Sequence, residues 1–146
     1  MVSSAFGAAA AEVGRTVLLT GDLALVHDLG GLLAGRSHGL TLSIVVLDNG
    51  GGGIFSHLPI ASHGEAVSFE ALFRTPHDLD FEHAAHLFGA DYQRATSLEH
   101  YRAALKDAFH ADGVSIVHVP SDRDASIEQF RALGEAVARA AEGMEA

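Results

Sequence analysis

Two short polar turns carry the residues that could do chemistry. Gly21-Asp22 follows the apolar run TVLLT; Asp48-Asn49 follows the run LSIVVL and leads into four glycines, Gly50 to Gly53. Asp22 offers a carboxylate and Asn49 an amide oxygen. With a backbone carbonyl they make a set of hard oxygen donors. Mg²⁺ takes few protein oxygens of this kind and completes its octahedron with water and substrate phosphates. Asn49 follows Asp22 by 27 positions, which suits one right-handed strand–helix–strand crossover. If the two runs are neighbouring parallel strands, both turns lie beyond the carboxyl ends of the sheet, where open α/β sheets bind ligands. Glycines there let the backbone turn with φ > 0 and come close to a ligand. The expected chemistry is a phosphate held through a divalent metal.

The elements that must position those turns can be read along the chain. Residues 2–13 form an Ala-rich packing helix, with Ser3 or Ser4 to cap it and Gly14 to stop it. Residues 16–20 and 42–47 read as buried strands, the second with the higher β-branched content. Residues 23–34 carry Leu25, Val26, Leu29, Leu32 and Leu33 at helical spacing, so a helix there would bring its positive end to the phosphates. His27 and Asp28 are adjacent, and adjacent helical residues do not face each other. They read as a solvated or capping pair. Residues 61–76 form an excursion with a short helix over 69–73, and Arg74 there can pair with a carboxylate bidentately or serve in a structural salt bridge. Residues 81–88 form a helix with Phe81, Ala84, Ala85 and Phe88 inward. His83 and His86 lie one turn apart, but no third residue stands at metal-ligand spacing. A short strand over 90–94 follows, then a helix over 98–111 capped by Thr96 or Ser97. Its apolar face is Leu98, Tyr101, Leu105 and Phe109. A strand over 114–119 and a last helix over 126–142, with Ile127, Phe130, Leu133 and Val137 on one face, complete an α/β order. That order argues a parallel sheet with helices on both faces.

Composition bounds the function. At 146 residues the prior is one domain, and 48% hydrophobic with 19% charged residues is globular. A net charge of −10 with His neutral disfavours nucleic acid and anionic membrane surfaces as partners. There is no cysteine, which excludes disulfides and thiol catalysis and agrees with a cytoplasmic setting. No apolar run reaches the length of a membrane span. The start, MVSSAFGAAAAEVG, lacks the basic segment of a signal peptide.

Gly21-Asp22 followed by Asp48-Asn49 resembles the thiamine-diphosphate (ThDP) motif, Gly-Asp-Gly and then Asn-Asn about two dozen residues on. Leu23 stands in place of the last glycine and Asp48 in place of the first asparagine. The wider stretches GDLALVHDLGGL, VVLDNGGGGIFSHLP and FEALFRTPHDLDFEHAAHLFGADY resemble the 2-succinyl-5-enolpyruvyl-6-hydroxy-3-cyclohexene-1-carboxylate (SEPHCHC) synthases of menaquinone biosynthesis, where Leu after Gly-Asp is ordinary. The resemblance runs from Val2 to about Val119 and covers only the C-terminal cofactor domain of a much longer enzyme.

The resemblance implies a ThDP-binding fold, a single ThDP and Mg²⁺-binding domain over residues 1–146. Its first strand and the upstream domains would be missing, with Met1 falling inside the domain. It implies ThDP with Mg²⁺ (or Mn²⁺) as cofactors. Asp22 and Asn49 would ligate the metal by side chain and Gly51 by its carbonyl. Leu23, Ala24, Gly52 and Ile54 would contact the cofactor, and Ile54, Phe55, Leu58 and Arg74 the substrate. It further implies that the whole enzyme decarboxylates 2-oxoglutarate and adds the succinyl unit to isochorismate, as a cytoplasmic homo-oligomer. The activating glutamate comes from the pyrimidine-binding domain of a second subunit. No residue of this chain takes a catalytic role in that scheme, so the chain alone is expected to be inactive. Two readings stand beside it: the cofactor domain of another ThDP-dependent decarboxylase or carboligase, such as an acetohydroxyacid synthase relative, and a non-catalytic phosphate-binding domain.

Overall fold

A computed structural model describes residues 1–143. The chain forms two compact units: Met1–Gly51 with His77–Pro120, and Gly52–Pro76 with the chain from Ser121 onward.

The first unit is built on four strands: β1 (Val17–Gly21), β2 (Leu42–Asp48), β3 (Asp91–Arg94) and β4 (Val114–Pro120). Their order is β1-β2-β4-β3 and every pairing is parallel. The two most β-branched runs, SIVV and SIVHV, take the centre, and residues 42–46 of β2 are buried throughout. Strands covered on both faces read as continuous apolar runs for this reason. The register pairs Gly21 with Leu47. It therefore brings the two polar turns to the same end of adjacent strands.

The pleat sends alternate residues of β2 to opposite faces. On one face Leu42, Ile44 and Val46 pack with Val2 and Phe6 of α1 (Val2–Ala10), Leu25 of α2 (Asp22–His27), Leu32 of α3 (Leu32–His38), and Phe81 and Ala85 of α4 (Phe81–Phe88). On the other face Val45 and Val117 meet Ala104 and Ala108 of α5 (Leu98–His110). The expectation of a parallel sheet with helices on both faces holds.

Several local expectations give way. α1 ends at Ala10 with Met1 at its N-cap, and Ser3 bonds Asp28 instead of capping. The helix expected over 23–34 is three pieces: α2, a single 3₁₀ turn at Leu29–Gly31, and α3. Asp28 breaks it at φ −125°, ψ 23°, and its carboxylate turns to the Ser3 backbone and hydroxyl. A side chain at Gly31 would meet Ser3, so the break lets α1 lie close. α5 buries Ala104 and Ala108, with Tyr101 and Leu105 of the expected face packed beside them, while Leu98 and Phe109 are exposed. Small residues let a helix sit flat on a sheet, and here they take the centre of the contact.

The second unit holds two 3₁₀ segments, Gly53–His57 and Pro59–His63, and α6 (Arg123–Glu142). The short helix expected over 69–73 is present one residue further on, as a π-helical turn over Glu70–Arg74 closed by a Thr75 N–H to Glu70 carbonyl bond of 2.9 Å. Phe69 stacks on Phe73 at 5.6 Å, and Phe55 meets Phe73 edge-on at 5.7 Å. α6 begins three residues before its expected start because Asp122 caps it, accepting from the Ala125 N–H at 2.9 Å. Phe130, Leu133 and Val137 on its apolar face are exposed.

Candidate cofactor site

Asp22 is the buried centre of the site. It is 4% exposed, at the point where β1 passes into α2. Its Oδ1 accepts the Leu23 N–H at 2.7 Å and its Oδ2 the Gly51 N–H at 2.8 Å. The second bond joins the first turn to the glycine loop. Gly51 takes φ 136° and Gly50 φ 75°, in the region that favours glycine. Asp48 holds the loop from the other side: its Oδ1 accepts the Gly50 N–H at 2.9 Å. Asn49 Oδ1 is buried and accepts no hydrogen bond among the described residues. An unpaired buried acceptor costs about 1–3 kcal/mol, and a hard divalent cation is a partner that such an oxygen fits. The donors present, a carboxylate and an amide oxygen beside a Gly-rich turn, fit Mg²⁺.

Two imidazoles serve the two carboxylates, and the sequence reading named neither. His77 Nε2 lies 3.2 Å from Asp22 Oδ2 and 4.0 Å from Asp48 Oδ1. Asp22, Asp48 and His77 thus offer donor atoms within 4.8 Å of one another, which has the outline of a metal site. The protons argue otherwise for His77. The Leu79 N–H donates to its Nδ1 at 3.1 Å, so Nδ1 is bare and the neutral ring carries its proton on Nε2. A ring in that tautomer donates to a carboxylate and does not ligate. Metal-bound histidines show the reverse arrangement, with the free nitrogen as donor.

His118, buried in β4, has Nε2 at 2.8 Å from Asp48 Oδ2 and Nδ1 at 2.6 Å from the Tyr92 hydroxyl. Burial pushes the Asp48 carboxyl upward, but the Gly50 N–H and His118 outweigh it and hold the group below the ordinary carboxylate range. Burial, with Asp80 nearby, pushes the Tyr92 phenol above its ordinary value. His118 had a signal in the sequence, a titratable residue inside the apolar run SIVHV. His77 had none, because only tertiary folding brings it to Asp22.

The remaining expected residues fall as follows. Leu23 and Ala24 open α2 half-buried. Gly52, Ile54, Phe55, Leu58 and Arg74 belong to the second unit. There the Gly52 N–H donates to the Arg74 carbonyl at 2.6 Å, and a side chain at Gly52 would strike the Phe73 carbonyl oxygen. Ile54 is 71% exposed and Leu58 is exposed, whereas Arg74 is buried. His83 is exposed and pairs with Asp80, at 3.2 Å.

Residues 1–119 match the family "Thiamine pyrophosphate enzyme, C-terminal TPP binding domain", and the chain belongs to that family. Within it, the chain is 43% identical over 140 residues to the SEPHCHC synthase of Oceanobacillus iheyensis and 44% identical over 133 residues to that of Myxococcus xanthus. These alignments take in 96% and 91% of this chain but 24% and 22% of those proteins, so the chain spans about a quarter of the length of these relatives. Among solved structures it resembles the ThDP-dependent 4-hydroxybenzoylformate decarboxylase of Rhodococcus jostii (TM-score 0.67, 21% identity, 82% of this chain and 22% of that one). It also resembles the benzoylformate decarboxylase of Polynucleobacter necessarius (TM-score 0.66, 22% identity, 84% and 22%). Those two likenesses show the shared fold.

Proposed function

We propose that this chain is the diphosphate- and metal-holding part of a SEPHCHC synthase, with ThDP and Mg²⁺ or Mn²⁺ as its cofactors. The observation that carries the reading is the pairing of Asp22 with the Gly51 N–H beside the buried, unpartnered Asn49 oxygen, at the shared end of β1 and β2. Asp22 and Asn49 would hold the metal by side chain and Gly51 by its carbonyl. Leu23, Ala24, Gly52 and Ile54 would contact the cofactor. ThDP, when bound, supplies the electron sink that decarboxylation of a 2-oxo acid requires. The chain's own work is binding: Asp48 and His118 pin the glycine turn, and His77 donates to Asp22. Ile54, Phe55, Leu58 and Arg74 would face 2-oxoglutarate or isochorismate.

The enzyme would act in the cytoplasm as a homo-oligomer, with the pyrimidine-binding domain of a second subunit supplying the acid–base chemistry. Calorimetric titration of ThDP into the chain, with and without Mg²⁺ and beside Asp22→Ala, tests the reading. Binding that needs the metal and weakens at least about tenfold in the variant, ~1.4 kcal/mol, supports it. Binding indifferent to both rejects the metal assignment. If the folded chain binds nothing, the same titration with the upstream domains restored separates a half-built site from a wrong cofactor.

A further inference from the structure

We infer that the second unit contains a carboxylate-binding cavity of its own, with Arg74 as its anion-binding residue. A cavity of ≈ 550 Å³ lies within this unit, and Arg74 lines it. Arg74 is 5% exposed. Its Nη1 is engaged by Glu70, at 3.2 Å to Oε1 and 3.1 Å to Oε2. Its Nε is buried and donates to nothing among the described residues. Guanidinium carries donors on two edges, and a planar oxyanion takes one edge bidentately. With Nη1 spent on Glu70, the Nε edge is the one that lacks an acceptor. Leaving a buried charged donor unpaired is costly, so the geometry calls for an oxyanion from outside the chain.

The surroundings select the class of anion. Glu65, Glu70 and Asp124 line the same cavity against Arg74 and Arg123, and Arg123 is already bonded to Asp124 at 2.9 Å. A dianion would meet more repulsion than attraction there. A monocarboxylate adds one negative charge and uses the free edge. Phe69, Ala61 and Ala71 supply an apolar wall, and Ser56 and Ser68 supply hydroxyls. The ligand is therefore a monocarboxylate on a short, largely apolar chain. 2-Oxoglutarate and isochorismate each carry two carboxylates, so this monocarboxylate site is an alternative to the substrate role proposed above for Arg74 and does not rest on it.

The test is NMR titration of the arginine Nε–H resonances of the chain, without ThDP or metal, with butyrate and with inorganic phosphate. The Arg74 signal is assigned by its loss in Arg74→Lys. Butyrate is expected to move that signal saturably, with phosphate binding at least tenfold more weakly. Arg74→Lys, followed on backbone signals around the cavity, is expected to lose at least tenfold in butyrate affinity. Glu70→Gln removes a repelling charge and is expected to tighten butyrate two- to fivefold. An Nε–H that stays still, or moves without saturating, overturns the site. Phosphate binding as tight as butyrate overturns the ligand class. Butyrate affinity unchanged in Arg74→Lys, or weakened in Glu70→Gln, overturns the role of Arg74. Because cofactor and metal are absent, failure of the ThDP reading leaves this result unaffected.

Discussion

Histidine 77 shows how one backbone bond decides a residue's chemistry. Three side chains with metal-ligand character converge at Asp22, Asp48 and His77, yet the Leu79 N–H on Nδ1 makes His77 a donor. Mn²⁺ bound to the chain should accordingly show no imidazole nitrogen coupling in pulsed EPR; a clear ¹⁴N signal lost in His77→Phe would make His77 a ligand after all. As a donor to a ligating carboxylate, its removal in His77→Phe should weaken Mn²⁺ binding about 10- to 100-fold. His77→Gln, which keeps an N–H in reach, should recover most of that loss. Tyr92 offers a pH test. Its phenol ionises above the ordinary value of about 10 because it is buried. The unfolded chain therefore loses that proton first. The stability Tyr92 contributes is complete below about pH 10 and is lost as pH rises through its folded-state value. Tyr92→Phe also loses the 2.6 Å bond to His118, so denaturant titrations should show the variant less stable by a constant amount at neutral pH, and that gap should narrow as pH rises through the alkaline range. A gap that stays constant above about pH 10 would contradict the assignment.

At the scale of elements, contact distance outranks periodicity. α3 carries Gly35, where an added Cβ would meet Val114 and the Phe6 ring. Helix propensity alone favours alanine there by up to ~1 kcal/mol. The overpacking should prevail, and Gly35→Ala is expected to destabilise the chain by about 1–3 kcal/mol in denaturant unfolding. A stabilised variant would mean that α1 and β4 can retreat. The same logic explains α5, whose buried residues are Ala104 and Ala108; of the expected face Leu98, Tyr101, Leu105 and Phe109, the middle two pack beside them and the outer two are exposed. The broken helix after Asp22 also changes an expectation about the site. α2 spans only six residues, so little macrodipole reaches the phosphates, and recognition falls to the side chains and the glycine turn.

For the whole molecule, the proposed division of labour predicts an inactive polypeptide. Purified chain with ThDP, Mg²⁺, 2-oxoglutarate and isochorismate should release no CO₂ above background; turnover would show that the second subunit's domain is dispensable. β1 is an edge strand of the described sheet, and Val17 and Leu19 on it are exposed. Apolar edges of this kind pair with other chains. Concentration-dependent association in sedimentation is expected, and Leu19→Lys should reduce it. Unchanged association in that variant would point elsewhere, for example to the exposed face of α6.

The α/β order, the four strands and the Asp22 and Asn49 turns were legible because each is written in local chemistry. β-branched runs make buried strands, Asp and Gly make turns, and a spacing of 27 residues fixes a single crossover. The resemblance to ThDP enzymes rested on those same turns, and the family match now agrees with it. What required tertiary structure was everything that depends on residues far apart in sequence meeting in space. Asp22 to His77 and Asp48 to His118 span 55 and 70 positions, and no local pattern encodes such a meeting. The break in the helix after Asp22 depended on Ser3, the small contact face of α5 on the flatness of the sheet, and the free edge of Arg74 on which of its nitrogens Glu70 reaches. Local composition decides which elements form; packing distances and hydrogen-bond partners decide what each side chain is left free to do.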